Sequence, residues 1–348
     1  MIKNNPLNQF IFISAALVII LAGIKVSSVI VVPFLLSLFI AIICSPIIKF
    51  MTNRKVPHWL AITLLLLLIL LVFFFLLGLI NGSAQEFTKS IPQYRALMME
   101  RINDLQVLAH KWKIPFSVQP DAIVKHFDPS MVMNFASSLL MNFSNVVSNV
   151  FVLILVVIFM LLEAPTAKHK FAIVFNNQDG EEDHLERVLE SIIGYLGVKS
   201  MMSVLTGVAI WVLLTITGVQ YAILWATLSF LFNYIPNIGS IIAAVPIILQ
   251  AFLLNGFTTG FVVTISVIVI NVSIGNVLEP KIMGKKLGLS TLVVFLSLLF
   301  WGWLLGTVGM LLSVPLTMAL KIALESSPTT ERYAILLSDR LPNKSDLA

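Results

Sequence analysis

Charge is what this 348-residue chain has least of. Its 22 Lys and Arg and 17 Asp and Glu amount to 11% of the residues, against roughly a quarter in an ordinary soluble domain. With 58% of the chain hydrophobic, there is too little polar material to clothe a water-facing surface, and a soluble fold is excluded. The single cysteine, Cys44, excludes an intramolecular disulfide framework and a multi-cysteine metal site; in its apolar stretch it reads as a small buried hydrophobe. None of the five histidines (His58, His110, His126, His169, His184) falls within an apolar run. No H-E-x-x-H zinc signature, G-x-S-x-G elbow or Walker lysine loop is present. Gly197-Val198-Lys199-Ser200 ends like a phosphate-binding loop but lacks the upstream glycines. The expectation is a protein that is not an enzyme and carries no cofactor and no metal.

Long apolar runs are what the chain has instead. Spans of about 20 residues fit at 10–24, 29–48, 60–80, 146–162, 201–217 and 257–275, and two longer runs occupy 221–254 and 291–323. The fold class is therefore an all-α integral membrane protein. The first two runs read as an uncleaved anchor and a helical hairpin, with Lys25 snorkelling to the interface. Lys49, Arg54 and Lys55 stand without an acid in loop 49–59, which places that loop in the cytoplasm and, two spans earlier, the N-terminus as well. Runs 221–254 and 291–323 are too long for one span and short for two; each is broken near its middle and reads as a re-entrant hairpin. That count keeps the loop 276–290, with Lys281, Lys285 and Lys286 against Glu279, and the C-terminal tail inside.

Two polar segments interrupt the apolar pattern. Residues 81–142 carry Ile102, Leu105, Leu108 and Trp112 at helical steps and read as a small extracytoplasmic helical lobe, serving as a spacer or as a gate or assembly surface. Residues 163–197 carry Asp179, Glu181, Glu182 and Asp183; without the EF-hand glycine these acids read as a solvated helix start, favoured by the N-terminal dipole. The resulting organisation is transmembrane helices over 1–80, the lobe over 81–142, a span plus a cytoplasmic acidic helix over 143–200, a core with broken helices over 201–325, and a tail over 326–348.

The candidate site lies where the helices break. An unpaired backbone amide or carbonyl in hydrocarbon costs several kcal/mol, so breaks survive only where they are buried or line a watery cavity, and transporters use them to build a ligand site near the midplane. Asn233, Pro236, Asn237, Gly239 and Ser240 concentrate two carboxamides, a missing backbone donor and a permissive glycine within eight positions. Asn271 lies inside the next span. Asn276, Glu279 and Pro280 form a second cluster, and Glu279 is the only acid between Glu190 and Glu325. Two readings stand for it: a helix-end carboxylate paired to Lys281 or Lys285, or a gating or proton-coupling group. Trp301 and Trp303, beside Gly302 and Gly306, read either as an interfacial belt or as a substrate wall.

The Asn233–Ser240 motif, the stretch 275–284, and Gly288-Leu289-Ser290 leading into Trp301-Gly302-Trp303 resemble the autoinducer-2 exporter family over essentially the whole chain. The resemblance implies a multi-pass transporter of the bacterial inner membrane, a homo-oligomer of pentameric form, elevator-like movement of the re-entrant part, and export of the quorum-sensing signal autoinducer-2. Some relatives are described as sodium/proton antiporters, which leaves cation exchange through Glu279 as the alternative. Unborated autoinducer-2 is small, neutral and polyhydroxylated, a match for amides and backbone groups, whereas cation coupling recruits membrane carboxylates. A scaffold that moves no solute is the third reading; helix breaks in lipid would gain it nothing.

Overall fold

The computed structural model describes residues 6–111, 150–174, 181–236, 238–283, 288–326 and 330–339. Asn237, Lys285, Lys286 and most of the polar lobe beyond residue 111 lie outside them. Among the described residues every regular element is a helix: α1 Pro6–Val26, α2 Ser28–Asn53, α3 His58–Lys111, α4 Val150–Val174, α5 Glu181–Ile216, α6 Ala222–Phe232, α7 Ile238–Asn271, a π-helical turn Val272–Leu278, α8 Glu279–Met283, α9 Thr291–Glu325 and α10 Glu331–Ala334. Among the described residues five segments are long and apolar enough to cross a membrane: Ser28–Asn53, His58–Leu79, Glu186–Ile216, Ile238–Met283 and Thr291–Glu325. The protein is an all-α integral membrane protein, as its composition requires.

The chain divides into two compact units. The first comprises Met1–Leu65, Asn149–Leu196 and Lys285–Ala348; the second comprises Leu66–Ser148 and Gly197–Gly284. In the first unit α2 packs along α4, and the Ser37 hydroxyl, buried in that seam, donates to the Leu153 carbonyl at 3.1 Å. α9 is not straight. At Gly306 the backbone takes φ 68° and ψ −150°, a combination that residues with a Cβ avoid, and the chain turns back on itself. A Cβ on Gly302 would fall 2.8 Å from the Met310 side chain, and one on Gly309 would collide with the Trp301 carbonyl; eight residues of straight helix would hold such pairs about 12 Å apart. Trp301 Nε1 donates to Thr317 Oγ1 at 3.0 Å across the two arms. Lys321 Nζ closes the base by donating to the Gly288 carbonyl at 2.9 Å.

One expected hairpin is absent. α1 and α2 meet at Ser27, whose φ of −83° and ψ of 7° remain close to helical. The helical ladder passes through the joint, from Ser27 N to Gly23 O and from Val31 N to Ser27 O. The chain bends at Ser27 but cannot reverse there, and α1 is exposed along almost its whole length. The stretch 25–28 between the two apolar runs holds no glycine or proline to break the helix. Lys25 is also not simply snorkelling: its Nζ lies 4.1 Å from the centroid of the Trp303 ring.

The second unit is a zigzag. α5 turns at Gly218 (φ 68°) into α6, which runs back along it: a Cβ on Gly207 would lie 3.1 Å from Phe230 Cβ. α6 turns over residues 233–237 into α7, tied by Gln250 Nε2 donating to the Gln220 carbonyl at 3.3 Å. α7 itself reverses at Gly256 (φ 83°, ψ 178°), where Phe252 and Phe261 stack edge to face at 5.2 Å. The run 221–254 is thus a helical hairpin, as is 291–323. α3 continues unbroken from its apolar half through residue 111, and Arg101, far along it, donates from Nε to the Leu253 carbonyl at 3.3 Å, beside the Gly256 turn.

Candidate functional site

The second unit has its polarity inside out. Ile216, Phe261, Ile265 and Val269 are exposed, while Lys199, Ser203, Thr206, Thr227, Ser229, Asn233 and Gln250 are buried. In a bilayer this is the ordinary solution, because lipid accepts the aliphatic surface and polar groups must find one another within the protein. Lys199, Ser203, Thr206, Ile210 and Leu214 recur at steps of three and four along α5 and so share one face, all buried. That face meets the concave side of the zigzag.

Three levels of this face can be distinguished. Nearest the Gly218 turn, Trp225 Nε1 donates to Gln250 Oε1 between α6 and α7, with Ile210, Leu214, Leu224 and Ile247 packed around the pair. Midway, a narrow cleft is lined by Thr206, Ile210, Ser229, Ser240, Ala243, Ala244, Ile247, Val267 and Asn271, drawn from α5, α6 and both arms of α7. Its walls stand too close to seat a water molecule. Thr206 lies about 15 Å along α5 from Ile216, half of a hydrocarbon thickness of about 30 Å. Beyond the cleft, the 233–237 turn is pinned to α5: Asn233 Nδ2 donates to Ser203 Oγ at 3.1 Å, and the Tyr234 hydroxyl donates to Ser200 Oγ at 2.9 Å. Gly239 is forced at this turn, because a Cβ there would run into the Phe232 carbonyl.

The charged pair closes the far end. Lys199 Nζ stands 2.7 Å from Glu279 Oε1, with side-chain exposures of 6% and 14%. Lys199 is the only basic residue between Arg187 and Lys281, and Glu279 the only acid between Glu190 and Glu325, so these two charges of the second unit's membrane core neutralise each other. Among the described residues the partner of Glu279 is Lys199 and not Lys281, a correction to the expectation from spacing, while Lys285 lies outside them. The π-helical turn Val272–Leu278 ends on Glu279. Extra residues of this kind within a helix gather at functional sites; here the turn re-aims the carboxylate onto α5.

The residues singled out in the sequence fall into three groups. Ser240 and Asn271 line the cleft, and Asn233, Pro236 and Gly239 build the turn beneath it, while Asn237 is outside the described residues. Asn276 and Pro280 are exposed beside Glu279. Trp301 and Trp303 belong to the first unit, one spent on Thr317 and the other, 54% exposed, on Lys25. The reading missed Lys199, Ser200, Ser203, Thr206 and Ser229. Four of them, Lys199, Ser200, Ser203 and Thr206, cluster on α5, but 201–217 looked like an ordinary span, since serine and threonine commonly satisfy themselves inside a helix.

Comparison with known proteins agrees with this architecture. The profile of the AI-2E family transporters matches residues 14–329. A provisionally named transport protein of Haemophilus influenzae is 66% identical over 97% of this chain and 98% of its own length. The AI-2 transport protein TqsA of Escherichia coli is 43% identical over 95% of this chain and 96% of its own, and YhhT of the same species, another provisionally named transport protein, is 39% identical over 94% and 93%. With its breaks, its buried polar face and this match over nearly its whole length, the chain belongs to the AI-2E transporter family.

Proposed function

We propose that the protein exports a small, uncharged, polar solute from the bacterial cytoplasm across the inner membrane, with autoinducer-2 as the cargo. One observation carries the reading: the polar groups around the mid-depth cleft are hydroxyls and a carboxamide, and the charged pair beyond it, Lys199 and Glu279, is spent on itself. A neutral ligand with several hydroxyls suits such walls, because each hydroxyl both donates and accepts. The hairpin of α6 and the first arm of α7 acts as a re-entrant element; α6 rises about 16 Å, too little to cross about 30 Å of hydrocarbon. The similarity to TqsA, named as an AI-2 transport protein, supports the choice of cargo. A homo-oligomer, pentameric in form, belongs to this reading, and native mass spectrometry of the detergent-solubilised protein tests it.

Sodium/proton antiport through Glu279 is the second reading, favoured by the burial of that carboxylate. Against it, the Lys199 ammonium already occupies Glu279 at 2.7 Å. Proteoliposomes in which autoinducer-2, sodium and the proton gradient are varied independently separate the two. Export predicts saturable autoinducer-2 flux by the purified protein. Absence of that flux, together with sodium-dependent proton movement that is lost in Glu279→Gln, would install antiport in its place.

A further inference from the structure

Hydroxyls in the helices of this protein generally look after themselves. Thr215, Thr217, Thr264 and Thr317 each donate to the carbonyl four residues back, at 2.7, 2.8, 2.7 and 2.7 Å. Ser297 and Ser313 donate to the carbonyl three residues back, both at 2.8 Å. This is the default for such residues in an apolar surrounding, since the bond returns the hydroxyl proton to the helix's own backbone. Thr206 and Ser229 depart from it. Their relative exposures are 3% and 4%, they face each other across the cleft from α5 and α6, and among the described residues no hydrogen bond engages either hydroxyl or the Asn271 carboxamide. A hydroxyl without a partner forgoes a bond worth about 0.5–1.5 kcal/mol, which a merely structural site would have secured by rotating the hydroxyl toward its own helix.

We infer that Thr206, Ser229 and Asn271, with Ser240 beside them, form the cargo-binding subsite, and that it selects a compact, uncharged solute bearing several hydroxyl groups on a short carbon skeleton. This inference rests on the transport reading above and gives it an address. The chemistry follows from the lining. Thr206, Ser229 and Asn271 approach from three different helical segments, so they can engage hydroxyls pointing in different directions around one small molecule. Ile210, Ile247 and Val267 supply the faces against which its carbon atoms lie. Ala243 and Ala244 keep the wall of α7 thin. No charge lines the cleft, and Lys199, seven residues before Thr206, is about 10 Å away along α5 and already paired; an anion or cation would shed its hydration there without compensation. The cleft as it stands seats not even one water molecule, so its walls must part to admit a solute, and a compact one demands the least of that movement.

The test is autoinducer-2 efflux from proteoliposomes, with KM and maximal rate measured separately for wild type, Thr206→Val, Thr206→Ser and Ser229→Ala. Valine keeps the shape of threonine without its hydroxyl; serine keeps the hydroxyl. The expected result is a KM raised about tenfold in Thr206→Val and in Ser229→Ala, the equivalent of one lost hydrogen bond of about 1.4 kcal/mol, with near-wild-type KM in Thr206→Ser. Xylitol should compete in the wild type and compete less in Thr206→Val, whereas lactate, of similar size but charged, should not compete. Unchanged KM in both hydroxyl-deleting variants, or competition by lactate equal to that by xylitol, overturns the subsite while leaving export standing. A wild-type protein that moves no autoinducer-2 and binds no xylitol in a thermal-shift assay overturns the transport reading and the subsite with it.

Discussion

Replacing Glu279 by glutamine removes the counter-charge that Lys199 meets among the described residues, without changing the size of the side chain. If the pair were a surface contact, the loss would be about 0–1 kcal/mol, because water and salt already screen such pairs. It is not a surface contact: the side chains are 6% and 14% exposed and the nitrogen lies 2.7 Å from the oxygen. An ammonium left in this setting has lost its partner without regaining water, and removing one member of a buried pair costs about 3–5 kcal/mol. At roughly 2–4 °C per kcal/mol, the lower bound corresponds to a fall in melting temperature of about 6–12 °C in detergent. Lys199→Met should destabilise by a similar amount, since it strands the carboxylate. The double variant Lys199→Met/Glu279→Gln should recover most of the loss, because no charge remains to be stranded. A double-mutant cycle with a coupling below about 0.5 kcal/mol, or a Glu279→Gln protein that melts with the wild type, would refute the claim that these two charges neutralise each other within the core.

Other substitutions probe the remaining parts. Gly239→Ala should disrupt the 233–237 turn by driving a methyl group into the Phe232 carbonyl, seen as lower yield of folded protein and faster proteolysis, whereas Gly194→Ala, where a Cβ meets nothing within 4 Å, should be silent. Trp225→Phe leaves Gln250 Oε1, on a fully buried side chain, without its donor, and should cost about 1–3 kcal/mol in thermal stability. Gly306→Ala forces a Cβ into the positive-φ turn of α9 and should cost about 1–3 kcal/mol by the same assay. Asn233→Ala should slow autoinducer-2 efflux through loss of the tie to Ser203, and Ser203→Ala should reproduce the effect; a normal rate in both would remove the turn from the transport mechanism.

Much of the fold was legible because membranes constrain sequences so strongly. Apolar length located the long helices, and the two over-long runs betrayed their hairpins through glycine, proline and asparagine, the residues that a reversal in lipid demands. Gly306 and Gly239 sit where the reading put the breaks. The bend at Ser27 was misread because short polar residues can sit inside a helix as easily as they can end one; no glycine or proline stood there to force a turn. Gly256 escaped notice for the opposite reason, as a lone glycine between two apolar runs looked like the boundary of separate spans. The partner of Glu279 was illegible in principle. Spacing offers Lys281 as a neighbour, but Lys199 is 80 residues away, and only the zigzag of α5, α6 and α7 brings it near. The same holds for Thr206 and Ser229, whose interest lies in a bond they do not make.

The two closures on either side of the cleft are built from different helices. Toward the Gly218 turn the seal is Trp225 on Gln250, a link between α6 and α7 alone. Toward Lys199 it is Asn233 on Ser203 and Tyr234 on Ser200, links between the hairpin turn and α5. Parting α6 from α7 would unlatch the first door and leave the second fastened; sliding the hairpin tip away from α5 would do the reverse. A chamber with two doors hung on separate hinges can be vented to one side at a time, and that asymmetry is already written into which helix holds which hydrogen bond.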